Sequence, residues 1–280
     1  MKTLILLFQC ADQQGIVAKV SDFIFRHNGN IIEADQHSTD PEGGHFFLRI
    51  EFCVKAELFE QSSFSAEFQA IAAAFSAEWQ MYDKSNILRM GVFVSKTDHC
   101  LADLLYLVRS GDLNVRIPFI ASNCEEHRQL AEQARIPFHF ISATKDDRKE
   151  SELLQMAKEE SDFLVLARYM LVLSEGFLRE YGKDIINIHH SFLPSFKGAR
   201  PYAQAFDRGV KVIGATSHFV TRDLDEGPII AQIVEPVLHR DNIASLERKG
   251  KNLEKRALSQ ALHSYSDYRT IKYKNKTIVF

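Results

Sequence analysis

IINIHHSFLPSFKGARPY, residues 185–202, is the stretch whose reading decides the fold. A short apolar run ends there in hydrogen-bonding side chains and then breaks into a loop rich in turn formers. Side chains on a strand alternate faces, so Asn187 and His189 share one face while Ile186, Ile188 and His190 lie on the other. An amide and an imidazole at the carboxyl end of a buried strand cost desolvation energy unless they are hydrogen-bonded, and in open α/β sheets that end is where ligands bind. Taken singly, Asn187 or His189 reads as a satisfied strand terminus. Together they require a third polar group.

That group stands after the next strand, in GATSHFVTRDLDEGPII, residues 214–230, where the acid-rich turn RDLDEGP leads straight into another apolar run. Asp225 lies in this turn. An imidazole, a carboxylate and a carboxamide in one cleft supply a proton carrier, an anion that orients or charges it, and a neutral donor for a developing oxyanion. This is the equipment of carbonyl chemistry. His218 is either a fourth polar member or a core histidine holding a loop, and Thr216 or His218 is placed to hold the set together.

The matching motifs are Asn187-Ile188-His189, Ser191-Phe192-Leu193-Pro194, His218-Phe219-Val220-Thr221 and Leu224-Asp225-Glu226-Gly227-Pro228. On these the chain resembles the formyltransferase fold of folate enzymes. His189-His190-Ser191 stands where glycinamide ribonucleotide formyltransferases usually have His-Pro-Ser, and with the amino-terminal half the whole chain resembles the formyltetrahydrofolate deformylase family. The resemblance implies hydrolysis of 10-formyltetrahydrofolate to formate and tetrahydrofolate, supplying formate and balancing the one-carbon folate pool for purine biosynthesis. It implies Asn187, His189 and Asp225 as catalytic residues, and Met170, Leu171, Leu173, His218, Thr221 and Leu224 as substrate-binding residues. Folate would be the substrate, and no cofactor is expected.

At 280 residues, with 45% hydrophobic and 25% charged residues, the chain has the size of two ordinary globular domains. A formal charge of −3 gives no electrostatic footprint for nucleic acid or an anionic membrane. Cys10, Cys53, Cys100 and Cys124 have no CxxC spacing, so a reducing cytoplasm and no metal site are expected. The opening MKTLILLFQCADQQG mimics the first parts of a signal peptide, but its apolar run gives way to Asp12-Gln13-Gln14 without a small-residue cleavage pattern. No stretch is long enough to span a membrane.

Residues 1–84 predict a ferredoxin-like βαββαβ domain. A strand at 3–9 is followed by a helix with Ile16, Val20, Phe23 and Ile24 on one side, then a strand at 31–39, a turn at 40–44, and the alternating run from Phe46 to Val54. A second helix carries Phe64, Phe68, Ile71 and Phe75, and residues 79–82 close the sheet. With Asp12-Gln13-Gln14-Gly15-Ile16-Val17 at the first turn and His27-Asn28-Gly29-Asn30-Ile31 after the helix, this half resembles an ACT domain. The resemblance implies a regulatory amino-acid effector held near Asp12, Gly15 and Asn30. Backbone amides at a helix start can meet a carboxylate, and Gly15 would allow close approach. Equally, the Gly turn merely connects two elements and the domain serves homo-oligomerisation, since a lone ferredoxin-like sheet leaves edge strands to cover.

Residues 85–280 predict a Rossmann-like domain, in which strands and helices alternate as in a parallel sheet covered on both faces. Strands fall at 88–94, 115–121, 138–141, 163–167 and 185–189, with a strand from 229 to 237, a helix over 242–264 and a last strand at 274–280. Ser95-Lys96-Thr97-Asp98-His99-Cys100, after the first strand, has no glycine, whereas a phosphate cradle needs glycines so that amides can approach the anion. A phosphorylated acceptor or a nucleotide is therefore poorly served; Lys96, Asp98 and His99 could still line the cleft, or Thr97 or Asp98 simply caps the helix. Met170 and Leu173 could wall a flat heterocycle, though such residues are more often plain core. Arg248-Lys249-Gly250-Lys251 reads as a solvated helix face.

Three rivals stay open. A formyltransferase with an amine acceptor would share every catalytic residue. An amino-acid-sensing regulator with a degenerate enzyme domain is opposed by the intact Asn187, His189 and Asp225. A zinc hydrolase using His189, His190 and His218 is opposed by strand alternation, which points the first two to opposite faces.

Overall fold

The computed structural model describes residues 1–40, 42–144, 147–195 and 200–280. Pro41 of the expected turn and residues 196–199 of the quoted loop lie outside the described residues. The chain divides into two compact units, one of residues 1–87, 267–271 and 278–280, the other of 88–266 and 272–277. Short C-terminal segments that the sequence places in the second domain thus belong to the first unit.

In the first unit the order is β1 (Lys2–Ala11), α1 (Ile16–Arg26), β2 (Asn30–Ser38), β3 (His45–Val54), α2 (Gln61–Ala74) and β4 (Glu78–Asp83). The strands form an antiparallel sheet in the order β2-β3-β1-β4, which is the ferredoxin-like arrangement. Alternation sends Phe46, Leu48, Ile50, Phe52 and Val54 of β3 to one side, where they pack with Val20, Phe23 and Ile24 of α1 and Phe64 and Phe68 of α2. Phe8 of β1 meets Phe68 and Phe75 edge-on, with centroids 6.2 Å apart in both pairs. Such pairs contribute about 1 kcal/mol each beyond area burial. Arg49, on the other face of β3, is only 1% exposed and donates to Glu33, Glu51 and the carbonyls of Asp267 and Tyr268. A buried guanidinium is tolerated because those acceptors satisfy it.

In the second unit the order is β5 (Leu88–Val94), α3 (His99–Ser110), β6 (Val115–Arg116), β7 (Ile120–Ser122), α4 (Arg128–Gln133), β8 (Phe138–Phe140) and α5 (Glu150–Glu160). It continues through β9 (Phe163–Leu166), α6 (Glu175–Tyr181), β10 (Ile185–His189), α7 (Pro201–Asp207), β11 (Val212–Phe219), β12 (Ile229–Pro236) and α8 (Ile243–Ser266). The sheet order is β12-β11-β10-β9-β5-β7-β8, with β6 beside β5. From β8 to β10 the strands are parallel, the Rossmann-like core, but β11 and β12 extend the sheet antiparallel. The turn between β11 and β12 is too short for the crossover that a parallel pair needs. The chain runs outward from β5 to β8 and then returns to β9 on the other side of β5, which makes the β5/β9 boundary a switch point where α/β sheets bind ligands.

Several local expectations are corrected. The strand expected at 115–121 is two short strands, because Pro118 has no N–H to give a ladder. The last strand expected at 274–280 is β14 (Lys276–Val279), but it pairs with a strand that was not expected, β13 (Thr270–Tyr273). Asp98 is the first residue of the cap at α3 but makes no side-chain cap bond. Gly250, in the basic run expected to face solvent, is buried under Tyr202, and a Cβ there would lie 2.0 Å from the Tyr202 ring.

Candidate active site

Asn187, His189 and Asp225 converge in the second unit. β10 carries the first two on one face, and β11 lies antiparallel beside it with Asn187 opposite His218 and His189 opposite Thr216. The turn after β11 then brings Asp225 back. His189 Nδ1 lies 3.2 Å from Asp225 Oδ2, and His218 Nε2 lies 3.7 Å from Oδ1 of the same carboxylate. Asp225 adopts φ 56°, a left-handed conformation that a side chain other than glycine seldom takes. The turn can close only because Gly227 has no Cβ, which would stand 1.8 Å from the Phe219 carbonyl oxygen.

The hydrogen bonds assign roles to individual atoms. His218 Nδ1 lies 2.9 Å from the Phe219 carbonyl, which can only accept, so Nδ1 carries a proton. The Nε2 of a neutral His218 then accepts from Asn187 Nδ2 at 3.2 Å. This contact fixes the carboxamide and leaves the second N–H of Nδ2 for another partner. On His189, Nδ1 donates to the carboxylate and Nε2 is buried without a hydrogen-bond partner among the described residues. A buried polar atom without a partner is costly, and such atoms mark places where a ligand supplies the missing bond. Thr216, fully buried behind His189, donates to the Ser191 carbonyl at 2.8 Å and accepts from Leu193 N and Gln232 Nε2, both at 3.0 Å.

Burial pushes the Asp225 pKa up, but the imidazole of His189, with that of His218 also facing the carboxylate, outweighs it and holds the carboxyl well below its usual range. The site therefore carries a fixed negative charge. His190 behaves differently. Burial first, then the charges of Arg168 and His189, lower its pKa to about 4. The strand ends at His189, so strict alternation does not carry to His190, and the two rings lie 5.1 Å apart.

Around this centre the other expected residues separate into two groups. Met170 is 55% exposed and Leu224 61% exposed, apolar surface next to the catalytic turn and the β9 loop, and Thr221 is also exposed. Leu173 and His218 are buried, and Leu171 packs against the apolar cluster that includes Leu173, Phe93 and Tyr169. Ser95, which the sequence did not single out, holds the β9 loop. Its N–H donates to the Arg168 carbonyl at 3.2 Å, its Oγ accepts from Met170 N at 2.9 Å, and its own carbonyl lies 2.6 Å from Nε2 of buried His127.

A second buried network also escaped the sequence. Glu254 of α8, 2% exposed, accepts from His99 Nε2 and from Tyr202 Oη, each at 2.9 Å, and lies 3.3 Å from Arg168 Nε. Burial raises its pKa, but His99, Arg168 and Tyr202 prevail and keep it lowered. Among the described residues, His99, Cys100 and Glu254 form the group whose ligand atoms fall within 4.8 Å of one another, not His189, His190 and His218. Glu254 already accepts from two donors and is ion-paired with a guanidinium, and burial followed by the Glu254 charge drives the Cys100 thiol far above its ordinary range. Such a set favours a hydrogen-bonded network over a cation.

In the first unit Gly15 has φ 87° at the start of α1, Asp12 accepts from Ser38 Oγ at 2.6 Å, and Asn30 opens β2 on the exposed surface. None of the three lines the polar cavity of about 350 Å³ bounded by Glu33, Arg49, Glu51, Lys84 and Arg269. Among the described residues no helix is long and apolar enough to cross a membrane.

Comparison with known proteins bears on the whole chain. The Formyl transferase family matches residues 88–262. A formyltetrahydrofolate deformylase of Bacillus subtilis is 49% identical over 278 residues, covering 98% of this chain and 93% of that protein. The crystal structure of a formyltetrahydrofolate deformylase from Pseudomonas syringae pv. tomato superposes with a TM-score of 0.94 at 42% identity, covering 100% of this chain and 95% of that one. A glycinamide ribonucleotide transformylase from Symbiobacterium toebii matches with a TM-score of 0.66 at 28% identity, over 71% of this chain and 97% of that one.

Proposed function

The chain belongs to the formyltetrahydrofolate deformylase family, and on that premise we propose that the cleft at the end of β10 cleaves the formyl group from 10-formyltetrahydrofolate. The enzyme is a hydrolase that yields formate and tetrahydrofolate, with a place in one-carbon metabolism and the supply of purine precursors. The observation that carries the residue assignment is the buried, partnerless His189 Nε2 beside a carboxylate and a positioned amide.

Asn187 Nδ2 donates its remaining N–H to the formyl oxygen as that atom gains charge. Asp225 orients water and receives the Nδ1–H of His189. As the water oxygen bonds to the formyl carbon, its proton passes to Nε2, and the imidazolium that forms is stabilised by Asp225. When the C–N bond breaks, the same proton moves from Nε2 to the departing folate nitrogen, so the enzyme returns to its starting state and formic acid leaves, giving its remaining acidic proton to solvent to become formate. Met170, Leu171, Leu173, Thr221 and Leu224 wall and edge the folate ring system, with His218 behind Asn187. This chemistry needs a proton carrier and an oxyanion donor, and we assign it no cofactor and no metal.

We further assign residues 1–84 to an ACT-like regulatory and oligomerisation domain, with an amino-acid effector near Asp12, Gly15 and Asn30, and the enzyme to the cytoplasm. We assign catalysis to the expected 85–280 domain, less residues 85–87, 267–271 and 278–280, which belong to the first unit. Light scattering of the full chain tests the assembly, and a monomer at micromolar concentration contradicts it. The likeness to a transformylase keeps an amine-acceptor transferase as the second reading. Formate release from 10-formyltetrahydrofolate with no amine present supports the hydrolase, and strict dependence on an added amine supports the transferase.

A further inference from the structure

Glu254 is buried on α8, as are Leu253, Ala257 and Leu258 of the same helix, and a carboxylate in such surroundings is costly unless it is paired. Its partners come from three other segments. His99 opens α3, Tyr202 lies in the first turn of α7, and Arg168 lies two residues beyond the end of β9. Replacing a buried cluster of this kind with well-packed apolar side chains is commonly neutral or stabilising, so stability alone does not account for it. The cluster fixes the segments that it joins.

The segment that most needs fixing is the one after β9. Arg168 has φ 65°, a left-handed conformation that costs a residue with a Cβ about 1 kcal/mol or more and persists where the surroundings hold it. Its N–H donates to the Leu166 carbonyl at 3.1 Å, and its own carbonyl accepts from Ser95 N at 3.2 Å. Its Nε lies 3.3 Å from Glu254 Oε2 and has no hydrogen-bond partner among the described residues, so the side chain is held by the charge attraction of the ion pair. Two residues further on, Met170 N donates to Ser95 Oγ, and the Met170 side chain is exposed. A strained residue clamped by main chain and by charge thus leads directly into the proposed folate wall.

We propose that Glu254 is a positioning residue for folate binding, which through its ion pair with Arg168 sets the conformation of the β9 loop and so the place of Met170 in the pocket wall. The inference rests on the assignment of Met170 to the folate site. The proposed hydrolytic cycle uses neither Glu254 nor Arg168, and Asn187, His189 and Asp225 lie on other segments. The pair therefore acts on ligand affinity and leaves the chemical step alone.

Tetrahydrofolate affinity, by fluorescence titration, and kcat at saturation are measured on the full-length wild type, Glu254→Gln, Arg168→Gln and the double variant. Each single variant should weaken tetrahydrofolate binding about tenfold with kcat within about twofold, and the double variant should be no weaker than the worse single one, because the pair acts as a unit. Tyr202→Phe removes a neutral hydrogen bond from the same carboxylate but keeps the ion pair, so it should lower the melting temperature and leave the affinity within about twofold of wild type. If a single variant, left with one unpaired buried charge, does not fold, the double variant has neither charge and carries the test; it too must bind tetrahydrofolate less tightly. Wild-type affinity in any folded charge variant, losses that add in the double variant, an equal loss in Tyr202→Phe, a fall in kcat as large as the loss of affinity, or failure of all three charge variants to fold makes Glu254 scaffolding alone and overturns the proposal. A wild-type enzyme that does not bind tetrahydrofolate saturably defeats the folate reading instead.

Discussion

Asp225→Asn isolates the charge at the reacting centre. Asparagine is nearly isosteric and tolerates the left-handed φ of 56° found at this position, so the turn and its contact with Phe219 survive. The substitution removes a full negative charge 3.2 Å from His189 Nδ1. At an effective dielectric near 20, a pair at that distance is worth about 5 kcal/mol, and the amide dipole that remains recovers part of it. Taking roughly 3 to 4 kcal/mol as lost only when the imidazolium forms, kcat should fall by about a hundredfold to a thousandfold. The folate walls are untouched, so the dissociation constant for tetrahydrofolate should change less than about threefold. Single-turnover formate release and folate fluorescence titration measure the two quantities. His189→Ala should fall similarly, and the double variant should lose little more than the worse single one, because the pair acts as a unit. A kcat within tenfold of wild type, or losses that multiply, would refute the assignment of Asp225 as the charge partner of His189.

Other consequences can be measured independently. His190 has its pKa lowered from 6.5 to about 4, so the stability tied to its neutral form is present above the unfolded value and lost as pH falls from about 6.5 to 4. That contribution is on the order of 3 kcal/mol, and urea denaturation at pH 7 and pH 4.5 should show a smaller acid loss in His190→Asn than in wild type; equal losses would contradict it. Ser95→Ala removes the acceptor for Met170 N and should weaken folate binding about twofold to tenfold with kcat little changed, whereas a fall in kcat alone would place Ser95 elsewhere in the cycle. Gly250→Ala would put a Cβ 2.0 Å from the Tyr202 ring, and thermal melts should show a loss of roughly 1–3 kcal/mol as Tyr202 is pushed from Glu254; an unchanged melting temperature would mean that the contact relaxes without cost.

What was legible in the sequence was periodic or locally punctuated. Alternation in β3, helical spacing in α1 and α2, and the polar end of β10 follow from side-chain direction alone. The quartet of His218, Asn187, Asp225 and His189 was accessible because two of its members lie on one strand and the others flank one turn. The Glu254 network was not, since His99, Arg168, Tyr202 and Glu254 come from four separate segments and nothing in the sequence pairs them, although His99 reads as a possible cleft residue. Ser95 escaped for the same reason, its partners lying 32 to 75 positions away. The antiparallel β11/β12 pair was readable from the short RDLDEGP turn, but strand–helix alternation earlier in the domain pointed to a uniformly parallel sheet. The Arg248–Lys251 run misled because burial of Gly250 depends on an aromatic ring brought from residue 202.

The central claim is that water, not an amine, receives the formyl group. Turnover of 10-formyltetrahydrofolate in ¹⁸O-labelled water, with no amine added, tests it by mass spectrometry of the formate. The account predicts formate bearing one oxygen from solvent, formed in equal amount with tetrahydrofolate, and lost in parallel in the Asn187, His189 and Asp225 variants. Formate without solvent oxygen, or no formate until an amine is supplied, would contradict it.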